Sequence, residues 1–213
     1  MGFLSVSRTH VGCRRTVNED AVLCRPDLGL WAVADGMGGH DAGEFASALV
    51  VETLAGCDPD LDLATRTDAA RRMLVEANRR LVAMGRESPT ARTIGTTVVA
   101  IAADPGSFAC LWAGDSRAYH CRGATLVQLT RDHSVVQALI DAGELAPAEA
   151  VDHPDSNLVT RAVGAAPELT IDTVTGEIRP GDTLLLASDG LTRLLSRDEL
   201  LAGLNASDLD SAA

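Results

Sequence analysis

The sequence is poor in aromatic residues, in basic residues and in long apolar runs. Aromatic residues make up 3% of its 213 residues, although 46% are hydrophobic, so we expect a core of Ala, Val, Leu and Ile. Lys and Arg total 18 against 30 Asp and Glu, which gives a formal net charge of −12. This excess of acid argues against binding to nucleic acid or to a membrane surface, because both require a basic face. It favours a protein that attracts cations.

Membrane segments, secretion and disulfides are not indicated either. No stretch approaches the roughly 20 consecutive apolar residues of a membrane helix. Residues 1–10 lack the basic segment followed by an apolar one that marks a signal peptide. Five cysteines without a CxxC pair are typical of reduced thiols in a cytoplasmic protein. The length suits one domain, and we expect residues 1–213 to form it.

Three apolar runs in the chain end in an acidic turn. Asp35 opens an Asp-Gly-Met-Gly-Gly-His segment, Asp115 lies in Ala-Gly-Asp-Ser, and Asp189 lies in Ala-Ser-Asp-Gly. Each pattern predicts a buried strand that places a carboxylate at its end. One such segment alone is more often an ordinary turn. Their repetition favours a shared site.

The remaining pattern mixes helices with short antiparallel strands. Apolar residues at helical spacing predict helices over 42–54 and 68–84. A Ser-x-x-Glu capping box predicts another helix that begins at Ser196. Spacing after Ser134 predicts a helix whose apolar side chains point inward. Between 98 and 129, β-branched runs separated by tight turns predict an antiparallel meander.

A loop near the N-terminus combines arginine with two adjacent acids. Residues 12–20 read Gly-Cys-Arg-Arg-Thr-Val-Asn-Glu-Asp, a composition that also suits a solvated turn. Arg15 offers a planar fork of donors suited to a phosphoryl group, and Glu19 and Asp20 offer carboxylates for metal-bound water. The sequence contains no GxxxxGK[ST] loop, so nucleotide-driven transfer is not indicated.

Carboxylates that cluster at strand ends need cations, because like charges repel and their burial is costly. The candidate ligands are oxygen donors, and no Cys or His set has zinc spacing, which favours Mg²⁺ or Mn²⁺. Two such ions about 3.5–4 Å apart lower the pKa of a shared water molecule and orient it for in-line attack on phosphorus. Phosphate ester hydrolysis is therefore the chemistry that these residue types favour.

Six short motifs occur in order and together resemble those of one family. They are Arg15-x-x-Asn18-Glu19-Asp20, Val33-Ala-Asp35-Gly36-Met-Gly-Gly39-His40, Gly95-Thr-Thr97, Gly114-Asp115-Ser116-Arg117, Leu129-Thr-x-Asp132-His133-Ser134 and Ser188-Asp189-Gly190. Each motif is weak alone, but the ordered set resembles the bacterial branch of the PPM (type 2C) metal-dependent protein Ser/Thr phosphatases. The match extends from Arg8 to about Leu195.

The resemblance implies an α+β fold, an α-β-β-α sandwich of two antiparallel sheets flanked by helices. It implies that Asp35 bridges two Mg²⁺ or Mn²⁺ ions, that the Gly36 carbonyl binds one of them and that Asp189 binds the other. It also implies that Glu19 and Asp20 hold metal-bound water.

Further roles follow from the same resemblance. Asp115 would serve a weaker third ion, and Arg15 would bind the substrate phosphate. His40 is the candidate general acid, although animal relatives place a histidine directly after Asp-Gly, where this chain has Met37. Residues 142–156 would form a flap that shapes substrate access.

The sequence departs from the family at its end. The family closes with an Asp-Asn-x-Thr strand that supplies a further metal-binding aspartate, and this chain stops at Ala213 without it. We therefore expect a domain truncated at its C-terminus, without the last strand. Asp208 and Asp210 are interpreted as a solvated tail.

Three hypotheses follow for the function. The first is a phosphatase that acts on a Ser/Thr-phosphorylated protein, such as a kinase or its substrate. The second is a weakly active or inactive module that binds a phosphoprotein partner without turnover. A third, an acidic cation-binding protein, leaves Arg15 and the 142–156 segment unexplained.

Overall fold

A computed structural model of the chain describes residues 2–13, 16–38, 41–87 and 93–206. Its strands are β1 (Asp20–Arg25), β2 (Leu30–Met37), β3 (Gly95–Thr96), β4 (Val98–Asp104), β5 (Ser107–Ala113), β6 (Arg117–Arg122), β7 (Thr125–Gln128), β8 (Asp172–Glu177) and β9 (Thr183–Ala187). Its helices are α1 (Asp41–Ala55), α2 (Leu63–Glu87), α3 (Val135–Asp141), α4 (Asp189–Thr192) and α5 (Arg197–Ala206), with a short 3₁₀ turn at Pro147–Glu149.

The strands form two antiparallel sheets. The larger has the order β1-β2-β4-β5-β8, with β3 paired to the end of β2, and the smaller has the order β7-β6-β9. A tight turn after Arg25 joins β1 to β2, because the Leu28 N–H donates to the Arg25 carbonyl. The hairpin places Asp20 opposite Asp35 in the register of the pair.

Strand β4 shows how the sequence divides the core into layers. Successive side chains of a strand point to opposite faces, and every residue of β4 except the last is buried. Val98, Ala100 and Ala102 belong to the apolar cluster shared with α1 and α2. Val99, Ile101 and Ala103 belong to the cluster between the sheets. A continuous apolar run therefore builds two layers at once.

The outer face of the smaller sheet is covered by α5. Tyr119, Cys121 and Leu126 are buried there against Leu200. The capping box forms as predicted: the Ser196 Oγ accepts from the Glu199 N–H at 3.3 Å, and the Ser196 N–H donates to the Glu199 carboxylate at 2.8 Å. The order helices, sheet, sheet, helix confirms the α-β-β-α sandwich.

Two local predictions were wrong. The strands between residues 98 and 129 are not one meander, because β4 and β5 pair in the larger sheet whereas β6 and β7 pair in the smaller. The connection after Ala113 crosses between the sheets. Helix α3 forms, but it buries none of its residues, so its apolar side chains are not core. Within the described residues, no helix combines the length and apolarity that crossing a membrane requires.

Candidate active site

Acidic residues from both sheets line one cavity of about 440 Å³. Asp20 and Asp35 reach it from β1 and β2, and Asp189 reaches it from the residue pair that follows β9. The Ser188 Oγ donates to the Asp20 carboxylate at 2.8 Å. This hydrogen bond ties the smaller sheet to the larger at the cavity. Two of the three strand-end acids that the sequence indicated, Asp35 and Asp189, thus line the same cavity.

Asp35 is the most perturbed acid of this cavity. Its pKa is raised to about 8, mainly by burial and in addition by the negative charges of Asp20, Asp189 and Asp115. A carboxyl that holds its proton near neutral pH, surrounded by other carboxylates, is the arrangement expected where excess negative charge awaits compensation. A bound cation would offset the same negative charge that the proton on Asp35 offsets.

Thr97 holds Asp35 in place. Its Oγ1 accepts from the Asp35 N–H at 3.1 Å, and its own N–H donates to the Asp35 carbonyl at 2.9 Å. The same hydroxyl shares a 2.7 Å hydrogen bond with the Ser116 Oγ. Thr97 is buried, so one side chain links the end of β2 to the turn that carries Asp115.

Two glycines let Glu19 approach the same strand end. A Cβ on Gly36 would lie 2.1 Å from the Gly43 carbonyl oxygen, and a Cβ on Gly43 would lie 2.5 Å from Glu19 Oε1. The Gly36 N–H donates to the Glu19 carbonyl at 3.0 Å. Gly43 lies in the first turn of α1, where the helix N-terminus favours a carboxylate. Only glycine fits between these groups.

Asp115 lies in the turn between β5 and β6. Its pKa is raised to about 6, mainly by burial and in addition by the negative charges of Asp189 and Asp132, while the charge of Arg193 opposes the rise. The Arg193 guanidinium lies 3.7 Å from the Asp115 carboxylate and 3.0 Å from that of Asp189. A guanidinium therefore stands between two of the predicted ligands.

The donor set fits a hard divalent ion in charge and chemistry. Asp20, Asp35, Asp115 and Asp189 are all oxygen donors, and each of the other three raises the pKa of Asp35, which suits Mg²⁺ or Mn²⁺. In the part of the chain that is described, however, no three His, Cys, Asp or Glu side chains form a complete ligand group. Asp20, Asp35 and Asp189 line the same cavity but do not form such a group among the described residues.

Two predicted site residues lie outside the described residues, namely Arg15 and His40. Their roles in phosphate binding and in proton transfer stay predictions. Asn18, which follows Arg15 in the same motif, lines the cavity and donates from its amide to the Thr9 hydroxyl at 2.8 Å.

Sequence reasoning missed four residues that shape the site. Thr97, Gly43, Ser188 and Arg193 received no role, although three of them lie in or beside a quoted motif. Arg193 follows Asp189 by four residues, the spacing of neighbours on a helix, so an assigned α4 would have revealed this ion pair. The Thr97–Ser116 contact joins residues that are 19 positions apart in the chain and had no local signal.

Comparison with known proteins agrees with the resemblance that the sequence motifs indicate. The family model described as Protein phosphatase 2C matches residues 10–207. The chain is 38% identical to the serine/threonine protein phosphatase PstP of Mycobacterium tuberculosis over 97% of its own length. That alignment covers 40% of the PstP chain, so this chain spans less than half of that curated relative.

Solved structures agree with the sequence comparison. The structure of PppA, described as a key regulatory component of T6SS in Pseudomonas aeruginosa, has a TM-score of 0.86 at 42% identity, covering 94% of this chain and 83% of that one. The catalytic domain of PstP in complex with two manganese ions has a TM-score of 0.82 at 37% identity, covering 97% and 86%. In both comparisons the described sandwich is the shared structure.

Proposed function

Because this chain belongs to the protein phosphatase 2C family, we propose that it is a metal-dependent phosphatase that hydrolyses phosphoserine and phosphothreonine in proteins. The observation that carries the proposal is the convergence of Asp20, Asp35 and Asp189 on one cavity, where burial and the repulsion between these acids raise the pKa of Asp35. Family membership indicates the class of reaction, and the cavity lined by these acids is the site that we propose for it.

We assign the metal ligands to the acids of this cavity. Asp35, the Gly36 carbonyl and Asp189 would hold two Mg²⁺ or Mn²⁺ ions, and Asp115 would hold a weaker third. When bound, such ions neutralise charge on the phosphoryl oxygens and lower the pKa of an attacking water molecule. The manganese complex of PstP supports this cofactor class.

The surrounding residues orient this set. Glu19 and Asp20 would fix water molecules at the ions. The Ser188 hydroxyl donates to Asp20 and thereby fixes the direction of that carboxylate. Thr97 fixes the backbone of Asp35 through its two hydrogen bonds. Such outer partners typically change metal affinity or activity 10–100-fold when they are removed.

Substrate binding falls to residues of the N-terminal loop and the 142–156 segment. Arg15 would bind the phosphoryl oxygens, since a guanidinium offers paired donors to them, and His40 would protonate the leaving group. The substrate would be a phosphorylated protein, such as a kinase or its target, which makes the role one in signalling. A cytoplasmic location is supported by five cysteines that form no disulfide.

Hydrolysis of a phosphothreonine peptide tests the proposal. Release of phosphate should require Mn²⁺ or Mg²⁺ and should fall at least about hundredfold in Asp35→Asn, because a metal ligand is lost. Asp68→Asn is the matched control, since Asp68 is an exposed acid on α2. Equal rates in both variants and in the native chain would contradict the proposed function. Retained phosphopeptide binding without any turnover would favour a binding module instead.

A further inference from the structure

Arg193 contacts three groups that lie far apart in the sequence, namely the side chains of Asp115 and Asp189 and the backbone of Ser156. Its Nε lies 3.0 Å from the Asp189 carboxylate and its Nη2 lies 3.7 Å from the Asp115 carboxylate. The same Nη2 donates to the Ser156 carbonyl at 2.9 Å. One guanidinium therefore joins both acids to the end of the 142–156 segment.

The position of Arg193 is fixed by the short helix α4. Asp189 is the first residue of α4, and the Arg193 N–H donates to the Asp189 carbonyl at 3.0 Å. Residues four apart on a helix are neighbours, so the guanidinium is held beside the carboxylate at the start of the same turn. It reaches Asp115 across the gap between the β5–β6 turn and α4.

We propose that Arg193 is an internal counter-ion which occupies the place of a cation between Asp115 and Asp189, and that a divalent ion entering beside Asp115 displaces it and releases the 142–156 segment. The inference rests on the proposed function, because it takes these acids as metal ligands. It adds a competition between a side chain and the metal that the proposed function does not contain.

Charge and exposure both indicate that a divalent ion can displace the Arg193 guanidinium from Asp115. The Asp115 side chain is 9% exposed, so its charge needs a partner, whereas the Arg193 side chain is 38% exposed. Ion pairs with an exposed partner are weak, and solvent reaches the guanidinium from outside. A divalent ion between two carboxylates has twice the charge and can outcompete it.

Displacement of the Arg193 guanidinium also affects the 142–156 segment. Within the described part of the chain, Arg193 is the arginine that hydrogen bonds to Ser156. When the guanidinium leaves the acids, this hydrogen bond no longer has a fixed donor. The backbone near residue 156 is therefore expected to open when the metal binds, which couples ion binding to access at the cavity.

Manganese titration by calorimetry, without substrate, tests the competition. Arg193→Gln should tighten the weakest Mn²⁺ site roughly fivefold or more, because the displaced ion pairs no longer oppose the metal. The Mn²⁺ affinity of this site in Arg193→Lys should lie between those of the native chain and Arg193→Gln, since lysine keeps the charge but not the fork of donors. The gain should vanish when Asp115→Asn is added. Arg79→Gln, which removes the same charge from an exposed pair on α2, should leave every site unchanged.

Hydrogen exchange of the native chain provides a second readout that needs no variant. Saturating Mn²⁺ should speed amide exchange in residues 150–158, and in Arg193→Gln exchange there should be fast with or without Mn²⁺. Unchanged Mn²⁺ affinity in Arg193→Gln, or slower exchange in the native chain on adding Mn²⁺, would overturn the inference. Absent hydrolysis in all variants, with these shifts present, would instead count against the proposed function alone.

Discussion

Asp35 and Asp189 line the same cavity although they come from elements of different sheets, and the charge of Asp189 helps to raise the pKa of Asp35. Asp35 lies near the end of β2 in the larger sheet, and Asp189 follows β9 of the smaller one. The two sheets meet at this end of the sandwich, where the Ser188 hydroxyl also donates to the Asp20 carboxylate. This arrangement concentrates negative charge there, and the following predictions test what that charge does.

The first prediction concerns the metal-free chain. Asp35→Asn should raise the melting temperature in the presence of a chelator, because it removes a buried acid that Asp20, Asp115 and Asp189 repel. Scanning calorimetry of the native chain and the variant measures the shift. A fall in melting temperature would show that repulsion between these acids does not destabilise the metal-free fold.

The second prediction concerns Thr97. Thr97→Val removes the acceptor of the Asp35 N–H and the partner of the Ser116 hydroxyl, so Mn²⁺-dependent hydrolysis should fall roughly 10–100-fold. Thr97→Ser retains the hydroxyl and should keep most of the activity. Steady-state kinetics with a phosphothreonine peptide measures both variants. Equal activity in Val and Ser variants would remove the positioning role.

The third prediction concerns the glycine pair beside Glu19. Gly36→Ala should destabilise the fold by about 1–3 kcal/mol or more, because its Cβ would meet the Gly43 carbonyl oxygen at 2.1 Å. Gly203→Ala is the control: its Cβ meets no atom within 4 Å in α5, so it should stabilise by about 0.5–1 kcal/mol. Urea unfolding measures both. A neutral Gly36→Ala would refute the close packing at this strand end.

The fourth prediction concerns pH and a cluster away from the cavity. Asp182 is buried and accepts from Arg122 at 2.6 Å, from His120 at 3.0 Å and from the Arg179 N–H at 2.8 Å. The hydrogen bond from Arg122 is the main reason that its pKa lies well below the ordinary value.

A lowered pKa gives stability that is present above the unfolded-state pKa of about 3.9 and is lost as the pH falls towards the folded-state pKa. Asp182→Asn should therefore lower the melting temperature at pH 7, by roughly 3–8 °C, and by progressively less below about pH 4. Glu177→Gln, at an exposed pair with Arg179, serves as the control. A loss that stays constant down to pH 2 would contradict this account.

Much of the fold was predictable because its signals are local. The strands that lead to Asp35 and Asp189 and the capping box at Ser196 follow from apolar runs and turn residues within short windows. The crossing from one sheet to the other after Ala113 had no such signal, because a tight turn looks the same in either case.

The same distinction holds for the site. Acids at strand ends were found because each follows an apolar run. Thr97 and Arg193 act through partners on other elements, and the sequence shows neither partner. Helix α3 misled for a related reason: its apolar spacing is real, but Val135, Val136, Leu139 and Ile140 are only partly buried.

One measurement tests the central claim most directly, namely that acids from both sheets form one cation site. Mn²⁺ affinity should be measured by calorimetry for Asp35→Asn, Asp189→Asn and the double variant. If both side chains bind the same ions, each single variant should lose most of the affinity, and the double variant should be little worse than either, since residues in one network are not additive. Two independent, additive losses, or unchanged binding in either single variant, would contradict the claim.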